Sequence, residues 1–145
     1  MSRFLGIDHI DLRVPSLAAV EGFYDALLPK LGLAKKSYSI VDALGEWSDA
    51  SAERYNVAEW FEEREDGERP RAFFGVIEDA DMSIVRTRVA FAVASRADVH
   101  RWAEELPGLG AREVELSDDG VRYVAVFFTD PLGTRLEIVA RAPRL

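Results

Sequence analysis

His9, Arg88 and Glu137 are polar residues that the strand pattern and the internal repeat place on one predicted sheet face, and their side chains are of types that can do chemistry. An imidazole and a carboxylate are suitable ligands for zinc, iron, manganese or nickel, and either group can move a proton. A guanidinium can hold a carboxylate, phosphonate or enolate oxygen of a ligand. Because the three residues lie far apart in the sequence, their chemistry depends on the elements that bring them together.

An internal repeat relates these residues to one another. Residues 9–14 align with residues 88–93 at a constant offset, and the same offset places Ser16 on Ser95. The apolar rhythm and the helix-starting serine agree in the two copies although few residues are identical, which is typical of a diverged tandem repeat. At the first repeat position, the histidine of the first copy is replaced by Arg88 in the second.

The first strand and helix of each copy predict which faces are buried. Apolar and polar side chains alternate in the first strand: Ile10, Leu12 and Val14 on one side, His9, Asp11 and Arg13 on the other. After the N-cap serines Ser16 and Ser95, apolar residues recur at helical spacing. We predict that the helices cover the apolar face and that the opposite face can curl into a cup.

Three more strands are predicted after each helix. In the first copy they occupy residues 35–47, 57–63 and 71–77, with a turn at 64–70 and either a loop or a short helix at 48–56. In the second copy, strands at 112–116, 121–129 and 134–140 follow a first strand at 87–93. The prediction is therefore an α+β fold in which residues 1–145 form one domain of two modules, about 1–80 and 84–145, linked by residues 78–83.

Composition limits the class of protein further. Hydrophobic residues make up 48% and charged residues 30%, which is ordinary for a globular chain. No apolar run is long enough for a membrane span and no export signal is evident, so we predict no membrane partner and a cytoplasmic location. The net charge of −8 argues against a nucleic-acid partner. The absence of cysteine excludes disulfides and thiolate metal sites.

Four segments of the chain resemble the vicinal oxygen chelate superfamily of glyoxalase I, bleomycin-resistance proteins, fosfomycin-modifying enzymes and extradiol dioxygenases. They are residues 7–10, 22–33, 89–93 and 123–137, the last with an Asp-Pro-x-Gly-x-x-x-Glu core that is the most specific. The resemblance implies the glyoxalase/bleomycin-resistance fold: two tandem βαβββ modules that form a cup-shaped mixed sheet with helices on its outer face. It also implies a small-molecule ligand and a homodimer.

The resemblance further implies a site for a divalent metal such as Zn, Ni, Mn or Fe. Metal-using members take ligands from the first and last strands of each module, and His9 and Glu137 match two of those positions. Two positions depart from the pattern: Arg88 replaces a second histidine, and Phe73, Phe74 or Gly75 replaces a carboxylate. A guanidinium about 5 Å from a divalent ion would repel it by roughly 7 kcal/mol at an effective dielectric near 20.

Two arrangements of these residues follow from the resemblance. In one, His9 and Glu137 hold a metal, with Asp11 or a water completing the ligands. In the other, Arg88 pairs with Glu137 in a metal-free polar cluster beside His9. Either way we take His9, Arg88 and Glu137 as candidate catalytic residues, for proton transfer or oxyanion stabilisation. The candidate substrate-binding residues are Arg88, Tyr123, Phe127, Asp11 and Trp60, with Trp47, Tyr55 and Phe73 also able to line the rim.

Two classes of function therefore remain open from the sequence. The first is an enzyme that acts on a small oxygen-rich molecule by metal-assisted lyase, isomerase or dioxygenase chemistry with a degenerate metal site. The second is a non-catalytic, metal-free protein that binds a small antibiotic-like molecule, as in the bleomycin-resistance type. The incomplete ligand set favours the second class over a standard metalloenzyme.

Overall fold

Strand β1, His9–Val14, begins the first module in a computed structural model that describes residues 4–64 and 71–142. Helix α1, Leu17–Leu27, follows, and a 3-10 turn at Pro29–Leu31 leads into the remaining strands of that module. These strands are β2 (Leu33–Val41), β3 (Trp47–Asp49), β4 (Val57–Glu62) and β5 (Phe73–Glu78). The predicted turn at 64–70 falls, except for its first residue, outside the described residues.

The first module forms a mixed five-stranded sheet. Its strand order is β1-β5-β4-β2-β3, with β1 parallel to β5 and the other neighbours antiparallel. Helix α1 begins where the Oγ of Ser16 accepts the N–H of Ala19, and the carboxylate of Glu78 accepts the N–H of Leu17 at 2.9 Å. A carboxylate at this end of a helix stabilises it through the helix dipole.

The predicted strand at 35–47 is divided in two by a turn. The Oδ1 of Asp42 accepts the N–H groups of Leu44 and Glu46 at 2.8 and 2.9 Å, which turns the chain and ends β2. The chain then returns as β3, antiparallel to β2. The first module therefore has one short strand more than the predicted three after its helix.

The second module has the predicted order of strand, helix and three strands. Its elements are β6 (Arg88–Ala92), α2 (Arg96–Glu105), a 3-10 turn at Leu106–Leu109, β7 (Arg112–Asp118), β8 (Tyr123–Thr129) and β9 (Arg135–Arg141). The sheet order is β6-β9-β8-β7, with β6 parallel to β9. Helix α2 packs on this sheet, and Trp102 is buried there, as its helical spacing predicts.

The α+β class and the tandem repeat are thus confirmed. By contacts, the chain divides into the units Met1–Ser83 and Ile84–Leu145, each containing one copy of the repeat. Within each unit the parallel strand pair joins the first strand of the copy to its last. No helix in residues 4–64 and 71–142 is long and apolar enough to cross a membrane.

Candidate functional site

The polar side chains of β1 lie on the sheet face opposite to helix α1. The register pairs Asp11 with Gly75 and Gly75 with Glu59 on the next strand. Because cross-strand partners share a face, His9, Asp11, Phe73, Gly75 and Glu59 belong to one surface, which we call the His9 face. The buried residues Val14, Phe74 and Val76 lie on the helix side, so the predicted division of β1 into two faces is confirmed.

His9 is held in a defined orientation on this face. Its Nδ1 is 2.7 Å from Oδ1 of Asp8, and its Nε2 is 3.7 Å from Oδ2 of Asp11. The imidazole stacks on the ring of Phe73, with centroids 4.4 Å apart and planes 7° from parallel. The hydrogen bond to Asp8 raises the pKa of His9 above 6.5, partial burial lowers it, and the charges of Asp11 and Glu59 raise it further.

A cavity of about 380 Å³ opens beside His9 within the first module. It combines an imidazole, two carboxylates, a hydroxyl and two aromatic rings, so it offers both polar and apolar contacts to a small molecule. The lining residues are His9, Asp11, Ser39, Trp47, Glu59 and Phe73. The Oγ of Ser39 donates to Glu59 at 2.6 Å, which orients that carboxylate.

Glu59 was not among the residues singled out from the sequence. Its strand reads Val-Ala-Glu-Trp-Phe-Glu, and Glu59 is the central polar residue of that run. Residue types in this strand do not distinguish its two faces, because Glu62 lies on the face opposite to Glu59. Trp47 and Phe73, which were expected at a rim, do line the cavity.

Gly75 stands at a close approach between β5 and β1. A Cβ atom built on Gly75 would lie 2.7 Å from Oδ1 of Asp11, closer than real contacts allow. In the second module, β6 and β9 pair Ala90 with Glu137, as β1 and β5 pair Asp11 with Gly75. Gly75 is therefore the position of the first module that corresponds to Glu137.

Glu137 and Tyr123 form a hydrogen bond on the second module. The hydroxyl of Tyr123 donates to Oε1 of Glu137 at 2.7 Å, and Glu137 is only 8% exposed. Burial, and then the hydrogen bond to this carboxylate, raise the pKa of Tyr123 to about 12. Tyr123 therefore remains a donor at neutral pH and fixes the orientation of Glu137.

Arg88 lies over an aromatic ring of the same module. Its guanidinium carbon is 4.7 Å from the ring centroid of Phe127, and Phe127 is the cross-strand partner of Glu137. The Arg88–Glu137 ion pair, one of the two arrangements left open from the sequence, is not formed in the described part of the chain, where Tyr123 donates to Glu137. The structure thus brings together Arg88, Phe127, Tyr123 and Glu137 on one surface, the Glu137 face.

Trp60 lies away from these residues, contrary to the expectation that it lines the rim. It is 1% exposed, its ring contacts Tyr24 of α1, and its Nε1 donates to Asp25 at 3.1 Å. The reason is the twofold period of a strand, which places Trp60 on the opposite side from Glu59. Tyr55 also points to α1, since its hydroxyl donates to Glu21 at 2.7 Å. We therefore exclude both from the candidate site.

The His9 face offers a partial fit to a divalent metal. A hydrogen bond from Nδ1 to a carboxylate is the usual arrangement of a metal-binding histidine, and Asp8 provides it. Nε2 and the Oδ2 of Asp11 are 3.7 Å apart, within the roughly 4.2 Å that one ion with bonds of about 2.1 Å can bridge. Among residues 4–64 and 71–142, however, no group of three or more His, Asp or Glu side chains is placed to hold a metal.

Comparisons with known proteins identify the family of this chain. The sequence model of the glyoxalase/bleomycin resistance protein/dioxygenase superfamily matches residues 6–138. No curated protein gives a significant match to the sequence.

Solved structures share the fold at low identity. A glyoxalase/bleomycin resistance protein from Albidiferax ferrireducens is 18% identical, with a TM-score of 0.59, and covers 93% of this chain and 98% of its own. The fosfomycin resistance protein FosX from Listeria monocytogenes is 17% identical, with a TM-score of 0.62, and covers 99% and 100%. The family match spans most of the sequence, and the chain therefore belongs to the glyoxalase/bleomycin resistance protein/dioxygenase superfamily.

Proposed function

We propose that this protein acts on a small oxygen-rich molecule, with His9 and Glu137 as its metal-binding or proton-transferring groups. The observation that carries the proposal is the orientation of His9, whose Nδ1 is held by Asp8 while Nε2 faces Asp11. Joint action of the two modules is an expectation from the repeat and the family.

The residues of each face would have separate tasks. With Nδ1–H donated to Asp8, a neutral His9 presents the lone pair of Nε2 to a cation or to a ligand proton. On the second module, Tyr123 orients Glu137 through one oxygen, and a carboxylate retains capacity for a second contact. Arg88 can hold an anionic ligand oxygen while it stacks on Phe127.

A divalent cation, when bound, would polarise the oxygens of the substrate and stabilise an enolate-like charge. One relative supports such a role: a mutant of Listeria monocytogenes FosX, 21% identical with a TM-score of 0.55, was crystallised with Mn(II) and 1S,2S-dihydroxypropylphosphonic acid. Lyase, isomerase and dioxygenase reactions all fit this chemistry.

Metal analysis of the purified protein tests this proposal. We expect stoichiometric zinc, nickel, manganese or iron in the wild type, and its loss in His9→Ala, because Nε2 is the ligand that the fold orients best. His100→Ala is the matched control, since His100 lies on α2 with its Nε2 2.8 Å from Asp118. Equal metal content in His9→Ala and the wild type would contradict the proposed role of His9.

The alternative function is a metal-free protein that binds a small molecule without catalysis. It is favoured by Arg88, a cation at the repeat position of His9 that stacks on Phe127. Calorimetric binding of a small ligand by metal-free protein, with no turnover after Zn, Ni, Mn or Fe is added, would support this alternative. Ligand binding that requires an added metal would exclude it.

We also propose that the protein is a cytoplasmic homodimer. The resemblance implies the dimer. The exposed apolar side chains of Phe4, Leu5 and Ile7 before β1 support it, because large apolar side chains that are exposed next to one another commonly mark an interface. Light scattering on the purified protein at micromolar concentration would give twice the monomer mass. A mass of 16.2 kDa would contradict the proposal.

A further inference from the structure

One end of the Glu137 face carries a row of basic side chains. The register of the four strands places side by side Arg88 of β6, Arg135 of β9, Thr129 of β8 and Arg112 of β7. Cross-strand partners share a face, so these residues form one line across the sheet, which we call the arginine row. The row lies two residues before Glu137 on β9. Positive charge is therefore concentrated here, although the chain as a whole has a net charge of −8.

The charges of Arg88 and Arg135 are not neutralised by the described part of the chain. Neither residue forms an ion pair with a carboxylate in residues 4–64 and 71–142. Glu137, the nearest carboxylate along β9, accepts a hydrogen bond from Tyr123 instead. Like charges at directly paired strand positions destabilise a sheet. A bound anion would remove this repulsion, so the arginine row is suited to hold one.

The side chain of Arg88 extends over the strand that carries Arg135. Its guanidinium carbon lies 4.7 Å from the ring centroid of Phe127 on β8, and β9 lies between β6 and β8. Arg88 therefore crosses β9 on the face from which Arg135 projects. The contact with the ring of Phe127 uses none of the five N–H donors of the guanidinium, so they remain available to a ligand. Arg88 is exposed and Arg135 is half-buried, so a small ligand can reach both.

We propose that Arg88 and Arg135 together bind a dianionic phosphoryl or phosphonyl group of the ligand. Each guanidinium presents a fork of donors that fits two oxygens of such a group, and the two positive charges balance its two negative charges. A carboxylate fits less well, because it offers two oxygens and one charge to two guanidinium groups. The inference rests on the role that the proposed function gives Arg88, adds Arg135 to it and names the ligand class.

Binding of small anions to metal-free protein tests the inference. The probes are methyl phosphate, methylphosphonate and acetate at equal ionic strength and at about pH 8.5, where the first two carry two negative charges. We expect methyl phosphate or methylphosphonate to raise the thermal unfolding midpoint of the wild type more than acetate does, because a ligand that binds the folded state stabilises it. The Kd values from isothermal titration calorimetry show which of the two groups, the ester or the phosphonate, the site prefers.

Arg135→Gln and Arg88→Gln should each weaken binding of the preferred probe at least about tenfold, because each removes hydrogen bonds from a charged donor. Without an anion, Arg135→Gln should unfold no more easily than the wild type, since it relieves the repulsion from Arg88. Arg141→Gln is the matched control. Arg141 lies on the same strand and the same face as Arg135, about 20 Å away at the opposite end of β9, and its loss should leave binding unchanged.

The outcomes separate the inference from the proposed function. Equal losses in Arg135→Gln and Arg141→Gln would show that binding follows overall charge, and the inference would be wrong. A loss in Arg88→Gln alone would overturn the role of Arg135 and leave that of Arg88 in the proposed function intact. If neither methyl phosphate nor methylphosphonate stabilised the wild type more than acetate, the inferred ligand class would be wrong. The metal content of His9→Ala would still decide the proposed role of His9 independently.

Discussion

The environment of His9 is acidic on three sides. Asp8 contacts Nδ1, Asp11 faces Nε2, and Glu59 contributes its charge from the neighbouring strand β4. These groups favour the imidazolium form, while stacking on Phe73 fixes the ring plane. At the residue scale, the same acidic surroundings that favour a proton on His9 would also favour a cation bound in place of that proton.

Asp8→Asn should lower the pKa of His9 toward 6.5, because the hydrogen bond to Asp8 is the largest cause that raises it. The pH titration of the His9 ring protons by NMR measures this change. Asp49→Asn removes an equal charge from the exposed edge strand β3 and should leave the His9 titration unchanged. An unchanged His9 pKa in Asp8→Asn would contradict the assigned hydrogen bond.

The raised pKa also sets the sign of a pH effect on stability. The folded state favours protonated His9. The contribution of His9 to the free energy of unfolding is therefore fully present below pH 6.5 and is lost as the pH rises through the higher pKa of the folded state. The free energy of unfolding of the wild type should therefore fall slightly over that interval. Asp8→Asn should reduce this fall, which denaturant titrations at several pH values would measure.

At the scale of elements, the helix starts depend on single serines. Ser95 accepts the N–H of Asp98 at 3.2 Å and donates to its carboxylate at 2.8 Å, so it makes two bonds at the start of α2. Ser95→Ala should lower the free energy of unfolding by about 1 kcal/mol, the usual cost of losing an N-cap. Ser83→Ala, in an exposed segment without regular structure, should change it by less than about 0.5 kcal/mol. Equal effects of the two variants would contradict the capping role.

A partly buried ion cluster connects helix α1 to the sheet of the first module. Lys36 of β2 donates to Glu21 at 2.6 Å and to Asp25 at 3.0 Å, and its Nζ lies about 5 Å from the ring centroids of Tyr38 and Trp60. Burial lowers the pKa of Lys36, but the hydrogen bonds to the two carboxylates outweigh it, so the pKa is raised. Lys36 is therefore charged whenever the protein is folded near neutral pH.

Lys36→Met should lower the free energy of unfolding by about 1–3 kcal/mol, because it leaves the half-buried carboxylate of Glu21 without its cation. Denaturant titration at pH 7 measures the change. Lys35→Met removes the same charge from an exposed side chain on the opposite face of β2, and we expect a smaller effect. If Lys35→Met destabilised the protein as much, the cluster would not be what stabilises α1 on the sheet.

The alternation of apolar and polar residues in the strands, and the serines at the two helix starts, allowed most of these elements to be predicted from the sequence. Strand β1 has one apolar and one polar face, so the side on which His9 lies could be read from the sequence. Strand β4 has a glutamate and an aromatic residue on each face, so Trp60 could not be assigned to a side from residue types alone. The division of β2 from β3 depends on the two backbone contacts of Asp42, which hydrophobic patterning does not report.

At the scale of the whole molecule, the two copies of the repeat carry different functional groups at corresponding positions. The first has an imidazole on its first strand and a glycine on its last, whereas the second has Arg88 on its first strand and Glu137 on its last. Neither copy alone has both a histidine at the first-strand position of His9 and a carboxylate at the last-strand position of Glu137. The repeat and the family therefore lead us to expect that the two copies contribute complementary groups to one site.

Arg88→His tests that expectation. Replacing a cation by a metal-binding imidazole should strengthen Ni²⁺ binding by roughly tenfold or more, since it removes a repulsion and adds a ligand. Introducing Arg88→His into the His9→Ala variant shows whether residues 9 and 88 belong to one metal site or to two, because residues that share a site have non-additive effects on binding. In a shared site, the gain from Arg88→His should be much smaller when His9 is absent.

Isothermal titration of metal-free protein with Ni²⁺ would measure all four members of this cycle: wild type, the two single variants and the double variant. Arg122→His is the matched control, because it makes the same substitution at an exposed residue between β7 and β8. An equal gain with and without His9 would show that the two faces bind metal independently. If Arg88→His bound Ni²⁺ no better than Arg122→His, position 88 would not belong to a metal site, and a metal-free role of Arg88 in holding a ligand anion would be the better account.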